Sequence, residues 1–332
     1  MRARFGLGLC LGLALSAFTT VSSHAAPLKI GYSDWPGWTA WQVAIDKGWF
    51  KQANVDVVFN WFDYSASLDA FSAGKIDAEL MTNGDALVIG AGGAKSQAIL
   101  LTDYSSGNDI IVAQPGIKSL KQLKGKKIGI EVGLVEHLLL LYGLEQQGMK
   151  ITDVTLVNTK TNDTPQVLAS GQVDAIGAWQ PNSGQAMQMV PGARPVFSSA
   201  QAPGLIYDEL GVSPTSLAAH KAEWAKVVQI WDKVVKYIND PKTQDDAIRI
   251  MCRLDGLTPE QYKPLLKGTH LLDLAANRKA FKTGPGLDSL HGSSINADKF
   301  NVDNAVYKTS QDVDSYIDAE LIRNSELVKA AQ

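Results

Sequence analysis

Short apolar runs that end at polar or turn residues alternate with segments of helical spacing along the first two thirds of the chain. The first run ends in Ser33, Asp34 and Trp35, and after a Pro-Gly turn the helical spacing begins near Thr39. A buried strand followed by a turn and a helix is half of a βαβ unit. The pattern therefore predicts an α/β fold.

The chain repeats this pattern. Lys29-Ile-Gly-Tyr-Ser33 returns about 98 residues later as Lys127-Ile-Gly-Ile-Glu131, and Gly74-Lys-Ile-Asp-Ala78 returns at a nearly equal offset as Gly171-Gln-Val-Asp-Ala175. Two matches in the same order indicate two similar structural units. We predict two lobes, each a mainly parallel sheet flanked by helices.

The last third of the chain has helical patterns. Apolar residues at 224, 227, 228, 231, 234, 235 and 238 share one helical face and predict an amphipathic helix over 223–239. We expect this part to contribute no strand and to pack on the first lobe. The chain then crosses twice between the lobes, which gives a first lobe of 26–110 and 205–332 and a second lobe of 111–204.

Residues 1–25 have the pattern of a cleaved signal peptide. Arg2 and Arg4 precede an apolar stretch of 5–18, and Ser23-His-Ala25 is a small-x-small cleavage site. The apolar stretch is shorter than the ~20 residues that a spanning helix needs. Cleavage leaves one cysteine, Cys252, which cannot form an internal disulfide and which we predict to be a buried thiol.

Polar and aromatic side chains are concentrated where the predicted strands end. Open α/β sheets bind ligands at the carboxyl ends of their strands. Nine residues at these ends are candidate ligand-binding residues: the acids Asp34, Asp63, Asp85 and Glu131, the amides Asn83 and Asn182, and the tryptophans Trp35, Trp38 and Trp179.

Basic residues are scarce at the same strand ends, where Lys160 is the nearest. Proteins usually bind anions through arginine, although helix N-termini can also hold them. Carboxylates and indoles instead favour a cation or a neutral amide. Because like charges raise one another's pKa, we expect at most two of the four acids to contact a ligand. Asp34 and Asp85 as helix N-caps, and Trp38 as a core residue, remain alternative interpretations.

Sequence signatures of enzymes are missing. The chain has no G-x-S-x-G, no H-E-x-x-H and no phosphate loop, and its histidines lack the spacing of metal ligands. Asp and Glu outnumber Lys and Arg by 34 to 31, which argues against a nucleic-acid partner. We expect no catalytic residue, cofactor or metal.

The chain resembles the periplasmic substrate-binding proteins of ABC importers, within the nitrate/taurine/sulfonate group. The resemblance lies in the signal peptide, the opening Ile-Gly-Tyr-Ser-Asp-Trp, the duplicated Gly-x-(Ile/Val)-Asp-Ala and Leu123-Lys-Gly-Lys-Lys127. It implies the two-lobe type II fold, a periplasmic location, a small-molecule solute, a permease partner in the inner membrane and a monomeric state.

Five longer motifs resemble the branch of that group associated with urea carboxylase. They cover 32–38, 61–64, 81–85, 178–183 and 202–208. This resemblance implies guanidinium or urea as the solute, and the acidic and aromatic site agrees better with guanidinium than with urea. The alternatives on the same scaffold are nitrate, an alkylsulfonate such as taurine, or a thiamine-precursor pyrimidine. A protein of another class, an exported enzyme on this fold, is the remaining alternative.

Overall fold

The computed structural model describes residues 26–323. The predicted signal peptide at 1–25 and the last nine residues of the predicted first lobe therefore lie outside the described residues. Eleven strands form two sheets within the described part: β1 Leu28–Tyr32, β2 Val57–Trp61, β3 Ala78–Thr82, β4 Gln97–Ser105, β5 Asp109–Ala113, β6 Lys127–Ile130, β7 Thr155–Asn158, β8 Ala175–Trp179, β9 Arg194–Ser198, β10 Tyr207–Val212 and β11 Thr269–Leu271.

Fifteen α-helices of the described residues surround these sheets: α1 Pro36–Thr39, α2 Trp41–Asp46, α3 Trp49–Gln52, α4 Tyr64–Ser72, α5 Asn83–Ala91, α6 Val135–Gln146, α7 Thr164–Ala169, α8 Asn182–Met189, α9 Pro214–Ala219, α10 Lys221–Asn239, α11 Gln244–Met251, α12 Pro259–Tyr262, α13 Leu274–Ala280, α14 Leu290–Asp303 and α15 Glu320–Arg323. Short 3-10 turns lie at Leu120–Leu123, Ile151–Asp153, Thr161–Asp163, Ser199–Gln201, Leu265–Lys267 and Val313–Tyr316.

The first sheet has the order β11-β4-β10-β3-β1-β2, and the second has the order β7-β6-β8-β5-β9. In each sheet most strands run in one direction, as predicted. The exceptions are β10 and β11 in the first sheet and β5 in the second, which pair antiparallel with their neighbours.

β5 and β10 are the first strands after the two crossings between the lobes. The first crossing lies at 106–108, so Asp109 and Ile110 belong to the second sheet and not to the first lobe as predicted.

The duplicated Gly-x-(Ile/Val)-Asp-Ala motif makes the same contacts in both lobes. A carboxylate oxygen of Asp77 accepts a hydrogen bond from the Lys29 backbone N–H (2.8 Å), and Asp174 does the same for Lys127 (2.9 Å). The backbone N–H of each aspartate donates to the carbonyl of the same lysine. The motif therefore joins the start of one strand to the turn before its neighbour, and the predicted repeat is confirmed.

The C-terminal part packs on the first lobe mainly through the amphipathic helix α10. Trp224 and Trp231 on this helix are fully buried, and the ring of Trp231 lies 4.7 Å from that of Trp41. The prediction that this part contributes no strand is wrong, because Thr269–Leu271 adds β11 to the edge of the first sheet. Cys252 is a buried free thiol, as predicted.

Helix α14 reaches beyond the first lobe. It packs against both α5 of the first lobe and α6 of the second. The ring of Phe300 on α14 lies 6.0 Å from that of Tyr142 on α6. The C-terminal part therefore also contacts the second lobe, which the sequence pattern does not indicate.

Candidate functional site

The carboxyl ends of β1, β2, β6 and β8 enclose a cavity between the two lobes, which we call the outer cavity. Its volume is about 200 Å³. The lining residues come from both lobes and are mostly acidic, aromatic or hydroxylated: Ser33, Asp34, Trp61, Phe62, Asp63, Tyr64, Glu131, Thr161, Asn162 and Trp179. This is the part of an α/β sheet at which small ligands bind.

Asp34 connects the lobes directly. One oxygen of its carboxylate accepts a hydrogen bond from Trp179 Nε1 (2.8 Å), and the other accepts one from Asn182 Nδ2 (2.6 Å). Both donors belong to the second lobe, whereas Asp34 follows β1 of the first. Burial raises the pKa of Asp34, and the two hydrogen bonds oppose that rise. Asp34 therefore joins the two walls of the outer cavity in this closed arrangement.

Two further carboxylates line the outer cavity, one from each lobe. Glu131 follows β6, is 6% exposed and accepts a hydrogen bond from Thr161 Oγ1 (3.1 Å); burial raises its pKa. Asp63 is exposed and precedes α4, but its side chain caps no backbone N–H of that helix. Both carboxylates can thus accept hydrogen bonds from a ligand.

The electrostatic character of the outer cavity is negative. None of its lining residues is Lys, Arg or His. Lys160 acts on the charge of Glu131, but it is exposed and does not line the cavity. The nearby N-terminus of α6, where an anion could bind, has Asp85 close to it, since the Val135 backbone N–H acts to lower the pKa of that aspartate, and has Glu136 in its first turn. Acidic side chains of the protein itself thus occupy the position at which an anionic ligand could bind.

A second, smaller space lies deeper between the lobes, which we call the inner chamber. Its volume is about 10 Å³, and it is lined by Trp35, Trp38, Tyr64, Thr82, Asp109, Val135, Trp179 and Asp208. Tyr64 and Trp179 also line the outer cavity, and their rings meet edge to face with centroids 5.4 Å apart. This ring pair is therefore the common wall of the two spaces.

Asp109 and Asp208 are the two acids that line the inner chamber. Asp109 begins β5 and Asp208 lies in β10, so each is on the first strand after a crossing. Their side chains are 3% and 2% exposed. Neither was predicted from the sequence, because the candidate residues are taken from the ends of predicted strands, and no strand is predicted over 109–113 or 207–212. An acid within an apolar run, as in Asp109-Ile-Ile-Val-Ala113, is the signal that could have found the first.

The structure brings seven of the nine predicted residues to the cleft. Asp34, Asp63, Glu131 and Trp179 line the outer cavity, Trp35 and Trp38 line the inner chamber, and Asn182 binds Asp34. Trp38 is 2% exposed, so it is both a core residue and a wall of the chamber.

Asn83 and Asp85 line neither space. The Asn83 amide donates to Ser293 Oγ (3.0 Å) and Ser294 Oγ (3.1 Å) on α14 and accepts from the Tyr207 backbone N–H (3.1 Å). These three bonds make Asn83 a structural link between α5, α14 and β10. The prediction that it contacts a ligand therefore has no support in this arrangement.

Asp85 supports the site indirectly. Its carboxylate accepts a hydrogen bond from the Tyr64 hydroxyl (2.7 Å), and burial raises its pKa to about 7. Neither Asp34 nor Asp85 is an N-cap, since Trp35 holds that position before α1 and Thr82 Oγ1 caps α5 by accepting from the Asp85 backbone N–H. The N-cap interpretation of both aspartates is wrong.

Comparison with known proteins decides the family. A family model described as NMT1/THI5 like matches residues 35–243, which is more than half of the chain. The chain belongs to the NMT1/THI5-like family. A relative from Brucella abortus (strain 2308), named as a binding protein, is 32% identical over 187 residues, which cover 55% of this chain and 58% of that protein. The chain thus spans little more than half of the length of the curated relatives it matches first.

Solved structures share the two-lobe fold of this NMT1/THI5-like chain. The alkanesulfonate-binding protein SsuA from Xanthomonas axonopodis pv. citri, bound to MOPS, has a TM-score of 0.71 at 17% identity and covers 90% of this chain and 100% of its own. The periplasmic nitrate-binding protein NrtA from Synechocystis PCC 6803 has a TM-score of 0.72 at 11% identity over 92% and 88%. The predicted fold class is therefore confirmed.

The same fold also occurs in an enzyme. The desulfurization enzyme DSZB has a TM-score of 0.64 at 14% identity and covers 93% of this chain and 100% of its own. Fold alone therefore does not separate binding proteins from enzymes.

Across residues 26–323, no helix combines the length and apolar character that crossing a membrane requires. The same range contains no group of three or more His, Cys, Asp or Glu residues placed to hold a metal ion.

Proposed function

We propose that this protein is the solute-binding component of an ABC importer in the periplasm. It captures a small planar nitrogenous cation, guanidinium in preference to urea, between its lobes and delivers it to a permease in the inner membrane. It acts as a monomer and without a cofactor. Family membership and the fold shared with SsuA and NrtA support the binding-protein class.

One observation carries the choice of a cation over the anions that SsuA and NrtA are named for. The outer cavity holds three carboxylates, those of Asp34, Asp63 and Glu131, and has no basic residue in its lining. A sulfonate or nitrate would enter beside like charges without a guanidinium or ammonium partner, which is unfavourable in a partly buried site. A cation with several N–H donors finds acceptors there instead.

The size and walls of the outer cavity also favour a small planar ligand. Its volume of about 200 Å³ is below the ~300–1,000 Å³ typical of sites for drug-sized ligands. Trp61, Tyr64 and Trp179 provide aromatic faces that attract a planar cation. Guanidinium combines the small size, the flat shape, the charge and the N–H donors that these walls suit. Urea shares the shape but lacks the charge.

The test is a thermal-shift and calorimetric panel on mature protein that has been unfolded, stripped of ligand and refolded. Guanidinium, urea, taurine, nitrate and a thiamine-precursor pyrimidine are compared at matched ionic strength. A ligand at a hundred times its Kd stabilises the folded state by ~2.7 kcal/mol and raises Tm accordingly. We expect guanidinium to give the largest shift at micromolar concentration. A shift with taurine or nitrate alone would refute the cation proposal and leave the fold unaffected.

The chain offers a matched pair of variants for the same panel. Asp63 lines the outer cavity, whereas Asp69 lies on α4 of the same lobe, is also exposed and lies outside the cavity. Asp63→Asn should weaken guanidinium binding and Asp69→Asn should not, although both remove one exposed negative charge. An equal effect of the two variants would mean that the overall charge of the protein, and not the cavity, attracts the cation. Recovery of the ligand unchanged after incubation separates a carrier from an enzyme.

A further inference from the structure

Each of the two carboxyl groups that line the inner chamber has one oxygen without a hydrogen-bond donor. Oδ2 of Asp109 and Oδ2 of Asp208 accept no hydrogen bond from any of the described residues. Both side chains are more than nine-tenths buried and line the chamber. An ionised carboxylate buried without a donor is strongly unfavourable. The chamber therefore needs either protons or a cation.

The titratable groups that act on the charges of this cluster are acidic. The groups are Asp85 on α5, Asp103 on β4, Asp109 on β5, Glu136 on α6, Asp208 on β10 and Tyr64 on α4, and burial is the main reason that the pKa of each is raised. His137, the residue after Glu136 on α6, is neutral, because burial lowers its pKa to about 4. The cluster has no built-in positive partner among the described residues.

Without a ligand, shared protons satisfy the cluster. The neighbouring Asp103 helps to raise the pKa of Asp208, and the neighbouring Asp109 helps to raise that of Glu136, so Asp208 and Glu136 are the acids that retain protons. Asp103 accepts a hydrogen bond from Trp35 Nε1 (3.0 Å), which fixes its orientation. A cation with N–H donors can replace such a proton. The cation then brings one positive charge into the cluster, and one carboxyl group releases its proton to the solvent.

We propose that the inner chamber is the recognition subsite for the cation, where Asp109 and Asp208 accept hydrogen bonds from one amino edge of a guanidinium-type ligand. This inference rests on the proposed function. The chamber volume of about 10 Å³ corresponds to one water-sized group, which is the size of a single amino group. The remainder of the ligand extends toward the outer cavity once the Tyr64 and Trp179 rings move apart.

The position of the two aspartates distinguishes them from the acids of the outer cavity. Asp34 already accepts hydrogen bonds with both oxygens, and the charge of Asp63 is exposed to solvent and screened by salt. Asp109 and Asp208 are buried, and they belong to different sheets on the two crossing strands. A ligand held between them therefore contacts both lobes next to the two crossings, where binding can favour closure.

The experiment is isothermal titration of the mature protein and three variants with guanidinium chloride at constant ionic strength. Asp109→Asn and Asp208→Asn remove the proposed acceptors. Glu209→Gln is the control, because Glu209 follows Asp208 on β10, is 3% exposed and has a pKa raised to about 8 by burial, yet it does not line the chamber. We expect both asparagine variants to lose affinity at least tenfold and the Glu209 variant to bind as the unmodified protein does.

The melting point of the ligand-free variants separates binding from folding. An amide needs no ionisation, so all three variants should melt at or above the unmodified protein at pH 8. Affinity that falls while the melting point does not fall identifies the aspartates as ligand acceptors. If the unmodified protein binds guanidinium and the asparagine variants bind it equally well, the subsite is refuted while the proposed function stands. If the unmodified protein binds taurine or nitrate and not guanidinium, the proposed function itself fails.

A measurement on the unmodified protein covers the case in which the variants do not fold. Titration at pH 6 in two buffers of different ionisation enthalpy gives the number of protons released on binding. We expect net release, because the cation replaces a shared proton of the cluster. Identical heats in the two buffers would mean that no proton is exchanged and would refute the subsite.

Discussion

Asp34→Asn should weaken the closed arrangement of the two lobes before any ligand is considered. The two carboxylate oxygens of Asp34 accept from Trp179 Nε1 and Asn182 Nδ2. Asparagine has one acceptor and one donor in the same positions, so one hydrogen bond is lost and an N–H group faces another N–H group. The shape and size of the side chain stay nearly the same, which isolates the effect of the contact.

The expected magnitude follows from the hydrogen bond lost. A hydrogen bond to a charged group contributes ~1.5–3 kcal/mol. With about 2 kcal/mol for the one lost bond, the ratio of closed to open protein falls roughly 30-fold, since 1.4 kcal/mol is tenfold. If the closed form is the less populated form of the free protein, the apparent Kd of a ligand that binds only the closed form rises by the same factor.

Small-angle X-ray scattering of the ligand-free protein measures this change without relying on a ligand. We expect a larger radius of gyration for Asp34→Asn, and a Kd raised by about 10- to 100-fold in calorimetry. Trp179→Phe removes one of the two donors and should act in the same direction. Because both variants act on the same pair of hydrogen bonds, the effect of the double variant should be smaller than the sum of the two single effects. Unchanged scattering and an unchanged Kd would refute the view that Asp34 joins the lobes.

Three other outcomes are expected. Asn83→Ala should lower the free energy of unfolding by about 2–4 kcal/mol, because three hydrogen bonds are lost, and should leave the Kd of the ligand unchanged. A changed Kd with an unchanged free energy of unfolding would mean that Asn83 contacts the ligand. Gly37→Ala should destabilise the protein by ~1–3 kcal/mol in urea unfolding, because a Cβ would lie 1.9 Å from Asp103 Oδ2. Gly48→Ala is the comparison: its Cβ would meet no atom within 4 Å, so the positive φ of Gly48 is the only source of destabilisation. Burial raises the pKa of Glu209 to about 8 and that of Asp109 to about 6, so ligand-free Tm should fall as pH rises from about 4 to 8, and Glu209→Gln should flatten the upper part of that fall.

The repeat and the strand ends could be predicted because local patterns encode them. The duplicated motif predicts two lobes, and the same hydrogen bonds of Asp77 and Asp174 occur in both. Polar residues that follow a strand of an open sheet must lie at the same edge, so Asp34, Glu131 and Trp179 were correctly expected to meet across the cleft. The short strand β11 could not be predicted, because three residues are too few to show the alternation of apolar and polar positions that distinguishes a strand from a loop.

What the sequence alone determined is therefore the element pattern, the duplication and the acidic, aromatic character of the cleft. Only the tertiary structure decided which acids face which space. Asp109 and Asp208 line the same chamber although their strands belong to different sheets. Asn83 binds Ser293 and Ser294 on α14, which lies more than 200 residues further along the chain, and therefore does not line the cleft. Hydrophobic periodicity specifies which face of an element is buried. It does not specify which distant element covers that face, and the partners of a buried polar group depend on that packing.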